Sequence, residues 1–189
     1  MLNYISDISE KYELMECIGK GGFSEVHKAL DKINHRECAL KLIYTDYIEK
    51  GNQKDYMKNS ILREIEIMKV CKCNNIVELY DSFETESYFI LALELCDIDL
   101  LSYIIKQKNP GNLYFIQNIF LQLNNAFKIN YEKKIIHRDI KPENIYLKFD
   151  KNNKIIPKLG DFGISRFTYE KNELDNFYYK TLINIIQLK

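Results

Sequence analysis

Two stretches of this chain carry residue types that could do chemistry. His137 to Asn144 reads H-R-D-I-K-P-E-N, and Asp161-Phe162-Gly163 follows a short way on. Together they hold what transfer of a phosphoryl group to a hydroxyl needs. Asp139 can accept the hydroxyl proton, Lys141 can steady the charge on the moving group, and Asn144 and Asp161 can offer oxygen ligands to Mg²⁺. A triphosphate carries several negative charges, so the barrier falls chiefly through positioning and neutralisation. The same acids could merely cap turns. Eight residues in order, followed by D-F-G, argue against that, because only much shorter motifs recur by chance.

Such groups must be positioned by elements around them. Tyr12 to Ile18 alternates as a strand does, Gly19-Lys20-Gly21-Gly22-Phe23-Ser24 interrupts, and Val26 to Leu30 reads as a returning strand. The glycines fit a simple hairpin reversal, where positive φ is needed. They equally fit a lid whose backbone N–H groups lie over phosphates with no side chain in the way. Glu37 to Tyr44 is an apolar strand interrupted by Lys41, and a buried lysine is costly unless paired. Asp46 to Asn59 is charged and irregular. From Met57, the residues Met57, Ile61, Ile65 and Met68 recur at helical spacing, and Glu64 shares their face. Glu64 and Lys41 each resolve the other's problem as an ion pair, whereas Glu66 reads as an ordinary surface acid.

Ile76 to Tyr80 and Tyr88 to Leu93 read as strands joined by an acidic turn at Glu84 to Ser87. Asp99 to Lys106 reads as a short helix ended by the turn Asn109-Pro110-Gly111. Leu113, Ile116, Phe120, Leu123 and Phe127 then mark a long helix leading to Ile135-Ile136 and the catalytic stretch. Phe149 to Pro157 reads as a surface loop.

The run H-R-D-I-K-P-E-N with D-F-G closely resembles the eukaryotic protein kinases of serine/threonine type, and Lys141 two residues after Asp139 matches that branch. The resemblance implies an α+β bilobal protein-kinase-like fold. Its parts would be a small antiparallel β-sheet lobe with one helix over residues 12–93, a hinge over 94–97, and the start of a mainly helical lobe over 98–166. It further implies ATP and Mg²⁺ as cofactors, with the nucleotide held between two lobes. The glycine lid would comprise Ile18, Gly19, Lys20, Gly21, Gly22, Phe23, Ser24 and Val26, with Ser24 standing where the family has its third glycine. Lys41 would contact the α- and β-phosphates and pair with Glu64, and Ala39 would touch the adenine. Leu93 would guard the back pocket, the Glu94 and Cys96 backbones would face the adenine, and Tyr146 would pack beneath it. Asn144 and Asp161 would hold the metal, and Asp97 or Asp99 would reach the ribose. Arg138 resembles the arginine that pairs with an activation-segment phosphate, for which Ser165, Thr168 and Thr181 are candidate carriers.

The motif-level resemblance covers Tyr12 to Arg166. No Ala-Pro-Glu follows Asp161-Phe162-Gly163, and the chain contains no Trp. In residues 167–189, Leu174, Phe177, Tyr178, Leu182, Ile185 and Ile186 fall at helical spacing. This divergent segment is expected to cover core that would otherwise meet water, to bind a partner along its 174–186 apolar face, or to be an arbitrary tail. Two functions of different class follow. One is a protein kinase acting on Ser/Thr hydroxyls; the other is a catalytically weak or inactive ATP-binding or interaction fragment. A small-molecule kinase on the same fold fits the motif less well.

Composition narrows the partners. The chain has 189 residues with 27 Lys plus Arg and 27 Asp plus Glu, so no net charge draws it to nucleic acid or to an anionic membrane. The longest apolar run, around Tyr88 to Cys96, contains Glu94 and is too short to span a bilayer. A cytoplasmic location, with the nucleus open as well, is the expectation. The five cysteines include one close pair, Cys71 and Cys73, with no second pair to complete a zinc set, so reduced thiols are expected.

Overall fold

The computed structural model describes residues 3–4, 7–45, 54–107 and 113–186. The chain forms two compact units, residues 1–65 with 78–95, and residues 66–77 with 96–189. The first is built on strands β1 (Asn3–Tyr4), β2 (Tyr12–Lys20), β3 (Ser24–Asp31), β4 (Arg36–Tyr44), β5 (Leu79–Glu84) and β6 (Tyr88–Glu94). They form one sheet in the order β1-β5-β6-β4-β3-β2, antiparallel except for the β1–β5 pair.

The period of two in β4 decides the layering of this sheet. Cys38, Leu40 and Leu42 join Tyr12, Ala29, Phe83, Ile90 and Ala92 in a buried apolar cluster. Ala39, Lys41 and Ile43 point to the opposite face. The turn into β4 is held by Asp31, whose buried carboxylate accepts from the backbone N–H groups of Ile33 and Asn34 and from Asn34 Nδ2. Arg36 beside it lies 3.5 Å over the Tyr80 ring.

Helix α1 (Lys54–Val70) buries Ile61, Glu64, Ile65 and Met68 and leaves Glu66 exposed, as the spacing predicts, but Met57 is only half-buried and Ile67, which the spacing does not mark, is buried as well. It begins before Met57, so the end of the stretch expected to be irregular is helical; residues 46–53 lie outside the described residues. The strand expected over Ile76 to Tyr80 is shifted. Ile76 makes only an isolated bridge to Leu159, and β5 runs from Leu79 through Glu84, where a turn was expected. Asn75 explains the change. Its carbonyl accepts from Leu159 N and its amide donates to Pro157 O, so residues 75–77 serve a different partner from β5.

The second unit contains β7 (Ile98–Asp99), α2 (Leu100–Lys106), α3 (Leu113–Glu132), β8 (Ile135–Ile136), β9 (Ile145–Phe149), β10 (Ile155–Leu159), β11 (Arg166–Phe167) and α4 (Lys171–Ile186). Ile119, Leu123, Ala126 and Phe127 of α3 are buried in its core, as are Ile145, Leu147 and Leu159 of the strands. The expected loop over Phe149 to Pro157 is narrower than the sequence suggests, because its two ends belong to strands. Phe149 pairs with Ile155 and Leu147 with Pro157, leaving only residues 150–154 as the turn. Asp150 builds that turn by accepting from the backbone of Asn152 and Lys154. The expected turn Asn109-Pro110-Gly111 lies outside the described residues. Among the described residues, no helix is long and apolar enough to cross a membrane.

Candidate active site

In the second unit, short backbone connections converge on H-R-D and D-F-G. Strands β8 and β11 pair Ile136 with Arg166 and Ile135 with Phe167, so the chain entering the first motif and the chain leaving the second run side by side. The hairpin β9–β10 pairs Ile145 with Leu159, and Gly160 N donates to Asn144 O at 2.9 Å. Asn144 and Asp161 therefore sit at the same end of one hairpin, although 17 positions separate them.

His137 is the fully buried post of this arrangement. Its Nε2 lies 3.0 Å from the Gly160 carbonyl, which can only accept, so Nε2 carries the proton. Nδ1 is then free to accept from Asp139 N at 3.3 Å. The Phe162 ring meets the imidazole edge-on at 4.7 Å. Burial pushes the His137 pKa down, which favours the neutral ring this bonding requires. The backbone on either side is strained, with Arg138 at φ 68° and Asp161 at φ 57°. Non-glycine residues in this region cost free energy and are over-determined by their surroundings where they persist. Here Arg138 Nε donates to Ile164 O at 2.6 Å and Ser165 Oγ to His137 O at 2.9 Å.

Asp139 accepts two bonds that fix its charge. Lys141 Nζ and Asn144 Nδ2 both reach Oδ2 at 2.8 Å, and Asn144 Nδ2 also donates to the Asp139 carbonyl at 2.9 Å. The Lys141 ammonium, supported by the Asn144 amide, holds the Asp139 carboxyl below the usual carboxylate range, against a smaller opposing effect of burial. The same contact raises the Lys141 pKa. Because the Asn144 nitrogen is committed to Asp139, its oxygen is the atom left to ligate a cation. With the Asp161 carboxylate, it would offer the kind of oxygen ligands that Mg²⁺ prefers.

Gly160 is a site residue that motif reading passed over. A Cβ there would lie 2.7 Å from Tyr146 Cε2, 2.9 Å from Tyr146 Cδ2 and 3.1 Å from Val77 Cγ2. Close packing of the Tyr146 ring thus excludes any side chain immediately before Asp161. A glycine preceding D-F-G was the only available sequence signal.

In the first unit, Lys41 Nζ bonds Glu64 Oε1 at 2.7 Å, with the two side chains 18% and 5% exposed. This joins the two residues that were costly apart. Sheet register sets Gly19 opposite Val26, Val26 opposite Lys41, and Ala39 opposite Leu93. Directly opposed residues share a face, as do residues two apart, so Gly19, Val26, Ala39, Lys41 and Leu93 line one side of the sheet. Ile18 falls at a register shift between Cys17 and Gly19 and is half exposed. Phe23 is exposed at the tip, where its carbonyl accepts from Tyr44 N, and Lys20 pairs with Glu25 across the strands.

The glycines of this turn contradict the simple hairpin explanation. Gly21 N donates to Ser24 O at 2.7 Å, yet Gly19, Gly21 and Gly22 all avoid the left-handed region. A Cβ at Gly22 would meet nothing within 4 Å, and at Gly21 it would make only ordinary contact with Ser24. The chain's own conformation does not demand glycine at either position.

Other expected contacts have structural employment. Asp99 caps α2 by accepting from Ser102 N at 2.8 Å, and Asp97 accepts from Phe149 N at 2.7 Å. Glu94 is buried, with its N–H donating to Glu78 O, and Cys96 is half-buried. Of the candidate phosphate carriers, Ser165 and Thr168 are buried, and the Thr168 hydroxyl donates to Glu173 at 2.7 Å. The Thr181 side chain lies outside the described residues. Glu173, on α4, also pairs with Arg166. The Thr168 hydroxyl and then that guanidinium lower its pKa.

Helix α4 packs on its own unit. Leu174 and Tyr178 are buried, Tyr178 lies edge-on to Tyr131 at 5.8 Å, and its hydroxyl donates to Ile135 O at 2.9 Å. These described members of its apolar face are engaged within the chain, which gives no support to a separate partner there. The side chains of Leu182, Ile185 and Ile186 lie outside the described residues.

A family model described as the protein kinase domain matches residues 12–182. The chain belongs to the protein kinase family. The match runs past Arg166, where the motif-level resemblance was expected to stop, and takes in most of α4. Among curated proteins, the chain is 33% identical over 171 residues to calcium-dependent protein kinase 4 of Plasmodium falciparum. It is 32% identical over the same length to the protein of that name from Plasmodium berghei. Each alignment covers 88% of this chain and 31% of the relative, so the chain spans about a third of the length of these kinases.

Proposed function

We propose that the protein transfers the terminal phosphoryl group of ATP, with Mg²⁺, to serine or threonine hydroxyls of protein substrates. The observation that carries this reading is Asp139 Oδ2 held at 2.8 Å by both Lys141 and Asn144. A carboxylate kept ionised is ready to orient an acceptor hydroxyl and to take its proton late in transfer. Lys141, anchored to that carboxylate, is placed to steady negative charge beside it. Asn144 and Asp161 would hold Mg²⁺, which neutralises phosphate charge when bound.

In the first unit, the Lys41 ammonium is fixed by Glu64 and is assigned to the α- and β-phosphates. Glycines that the fold itself does not require support a backbone lid kept bare for phosphates. On the face that Lys41 shares, Ala39 is assigned to the adenine, Leu93 to the back pocket beside it and Val26 to the lid. Lys141, two residues beyond Asp139, supports serine/threonine over tyrosine specificity.

The test is phosphotransfer from labelled ATP to a generic basic protein, with Asp139→Asn as the control. Transfer is expected to fall about 100-fold or more in the variant, the lower end for loss of a positioned base. Mg²⁺–ATP binding is expected to persist. Binding of ATP with no transfer by the parent protein would replace the enzyme reading with that of a nucleotide-binding module.

A further inference from the structure

The opposite face of the β2–β3 pair carries a cluster that phosphoryl transfer does not use. Cys17 on β2 stands directly across from His27 on β3, and Glu25 lies two residues before His27 on the same face. One ligand atom from each, a thiol sulfur, an imidazole nitrogen and a carboxylate oxygen, lie within 4.8 Å of one another. They form the one such trio among the described residues.

The imidazole's bonding gives the cluster its direction. Nδ1 lies 3.4 Å from the Met15 carbonyl, which can only accept, so Nδ1 carries a proton. Nε2 is buried, makes no hydrogen bond, and lies 3.3 Å from Glu25 Oε1. In a neutral ring this places a nitrogen lone pair against a carboxylate oxygen, and both are electron donors. Something positive must lie between them: either a second ring proton or a cation. A histidine whose far N–H is anchored on a backbone carbonyl is the usual arrangement of a metal-bound ring.

We propose that Cys17 Sγ, His27 Nε2 and Glu25 Oε1 bind one borderline-soft divalent cation of the Zn²⁺ class. Sulfur, nitrogen and oxygen in one trio suit such an ion better than Mg²⁺ or Ca²⁺, which prefer oxygen alone. Bond lengths of about 2.0–2.3 Å place tetrahedral ligand atoms about 3.3–3.8 Å apart. The trio closes to that spacing when exposed Cys17 gives up the bond its thiol donates to Gly19 O at 3.4 Å and rotates inward with Glu25. Water takes the fourth position. The Cys17 thiol releases its proton to solvent on binding. Lys20 Nζ, 4.0 Å from the other Glu25 oxygen, is 75% exposed and can swing away. The bound ion ties together the two strands that carry the Gly19–Ser24 turn. The site stands whether or not the phosphoryl-transfer reading holds.

Cobalt(II) added to metal-free full-length protein tests this directly. One equivalent is expected to give a thiolate-to-metal charge-transfer band with four-coordinate visible bands, all displaced by Zn²⁺. Cys17→Ser should remove the charge-transfer band. His27→Gln and Glu25→Gln should each weaken binding about tenfold or more, at least the loss seen for outer-shell changes. Circular dichroism checks that each variant is folded, and if Cys17→Ser is not, the two glutamine variants decide the matter. A Cys71→Ser/Cys73→Ser variant should keep the spectrum. Absence of binding, or a charge-transfer band that survives Cys17→Ser, overturns the proposal. So does a His27 ring shown by NMR to bear both protons in excess Zn²⁺, which leaves a plain His27–Glu25 ion pair.

Discussion

Replacing Lys41 by methionine tests the ion pair that the site in the first unit is built on. Methionine keeps the volume and apolar stem of lysine and removes the charge. Glu64, with a side chain only 5% exposed, would then lose the ammonium 2.7 Å from Oε1. Breaking a buried pair from one side costs about 3–5 kcal/mol, because the remaining charge is left without compensation. The Lys41 side chain is 18% exposed, so water reaches one end of the pair and the lower end, about 3 kcal/mol, applies. The double variant Lys41→Met/Glu64→Leu removes both charges and should recover most of that loss, since buried pairs are often no better than apolar replacements. Urea denaturation of the parent, both single variants and the double variant completes the cycle. A coupling energy of about 2 kcal/mol or more is expected. On the proposed function, ATP affinity should nevertheless fall in both variants that lack Lys41, because restored packing does not restore its charge. Single variants as stable as the parent, or effects that simply add, would refute the claim that these residues solve each other's burial.

Gly160→Ala should destabilise by about 1–3 kcal/mol, the cost of overpacking, and trimming Tyr146 to leucine in the same chain should recover part of it in denaturant melts. Burial disfavours the charged form of His137, so the unfolded chain takes up a proton where the folded chain resists it. Stability is therefore expected to fall as pH drops below about 6.5, and His137→Gln should flatten that slope in urea midpoints measured from neutral to mildly acid pH. Burial raises the Cys38 thiol to about 11 and the Cys71 thiol to about 12. Both should resist a thiol reagent at mildly alkaline pH until the protein is unfolded, while exposed Cys17 reacts first. Early labelling of Cys38 or Cys71, read by peptide mapping, would contradict their burial.

Much of this molecule was legible in its residue order. The H-R-D-I-K-P-E-N and D-F-G stretches are local strings, and a string needs no contacts to be recognised. Helices α1 and α3 announce themselves by periodicity, because one face of each must be buried. Strands β4 and β6 do so by short apolar runs, because both faces of each are largely buried. Even the long-range Lys41–Glu64 pair could be inferred, since each residue taken alone would be an uncompensated charge in an apolar setting.

Other features came only with the tertiary structure. Residues 75–77 look as β-prone as β5, yet Asn75 ties them to the backbone of β10, a choice settled by partners about 80 positions away. Phe149 to Pro157 is rich in lysine and asparagine, which suggests a loop, but pairing draws Phe149 and Ile155 to Pro157 into strands and leaves the turn to residues 150–154. The need for glycine at 160 depends on where the Tyr146 ring lands, and the lack of any such need at 21 and 22 could be read only from backbone angles. Cys17, Glu25 and His27 look unrelated until register places them on one face. Residue order specifies groups whose meaning is local or whose cost alone is prohibitive. Which distant neighbours share a face, a carbonyl or a few ångströms is decided only when the strands have paired.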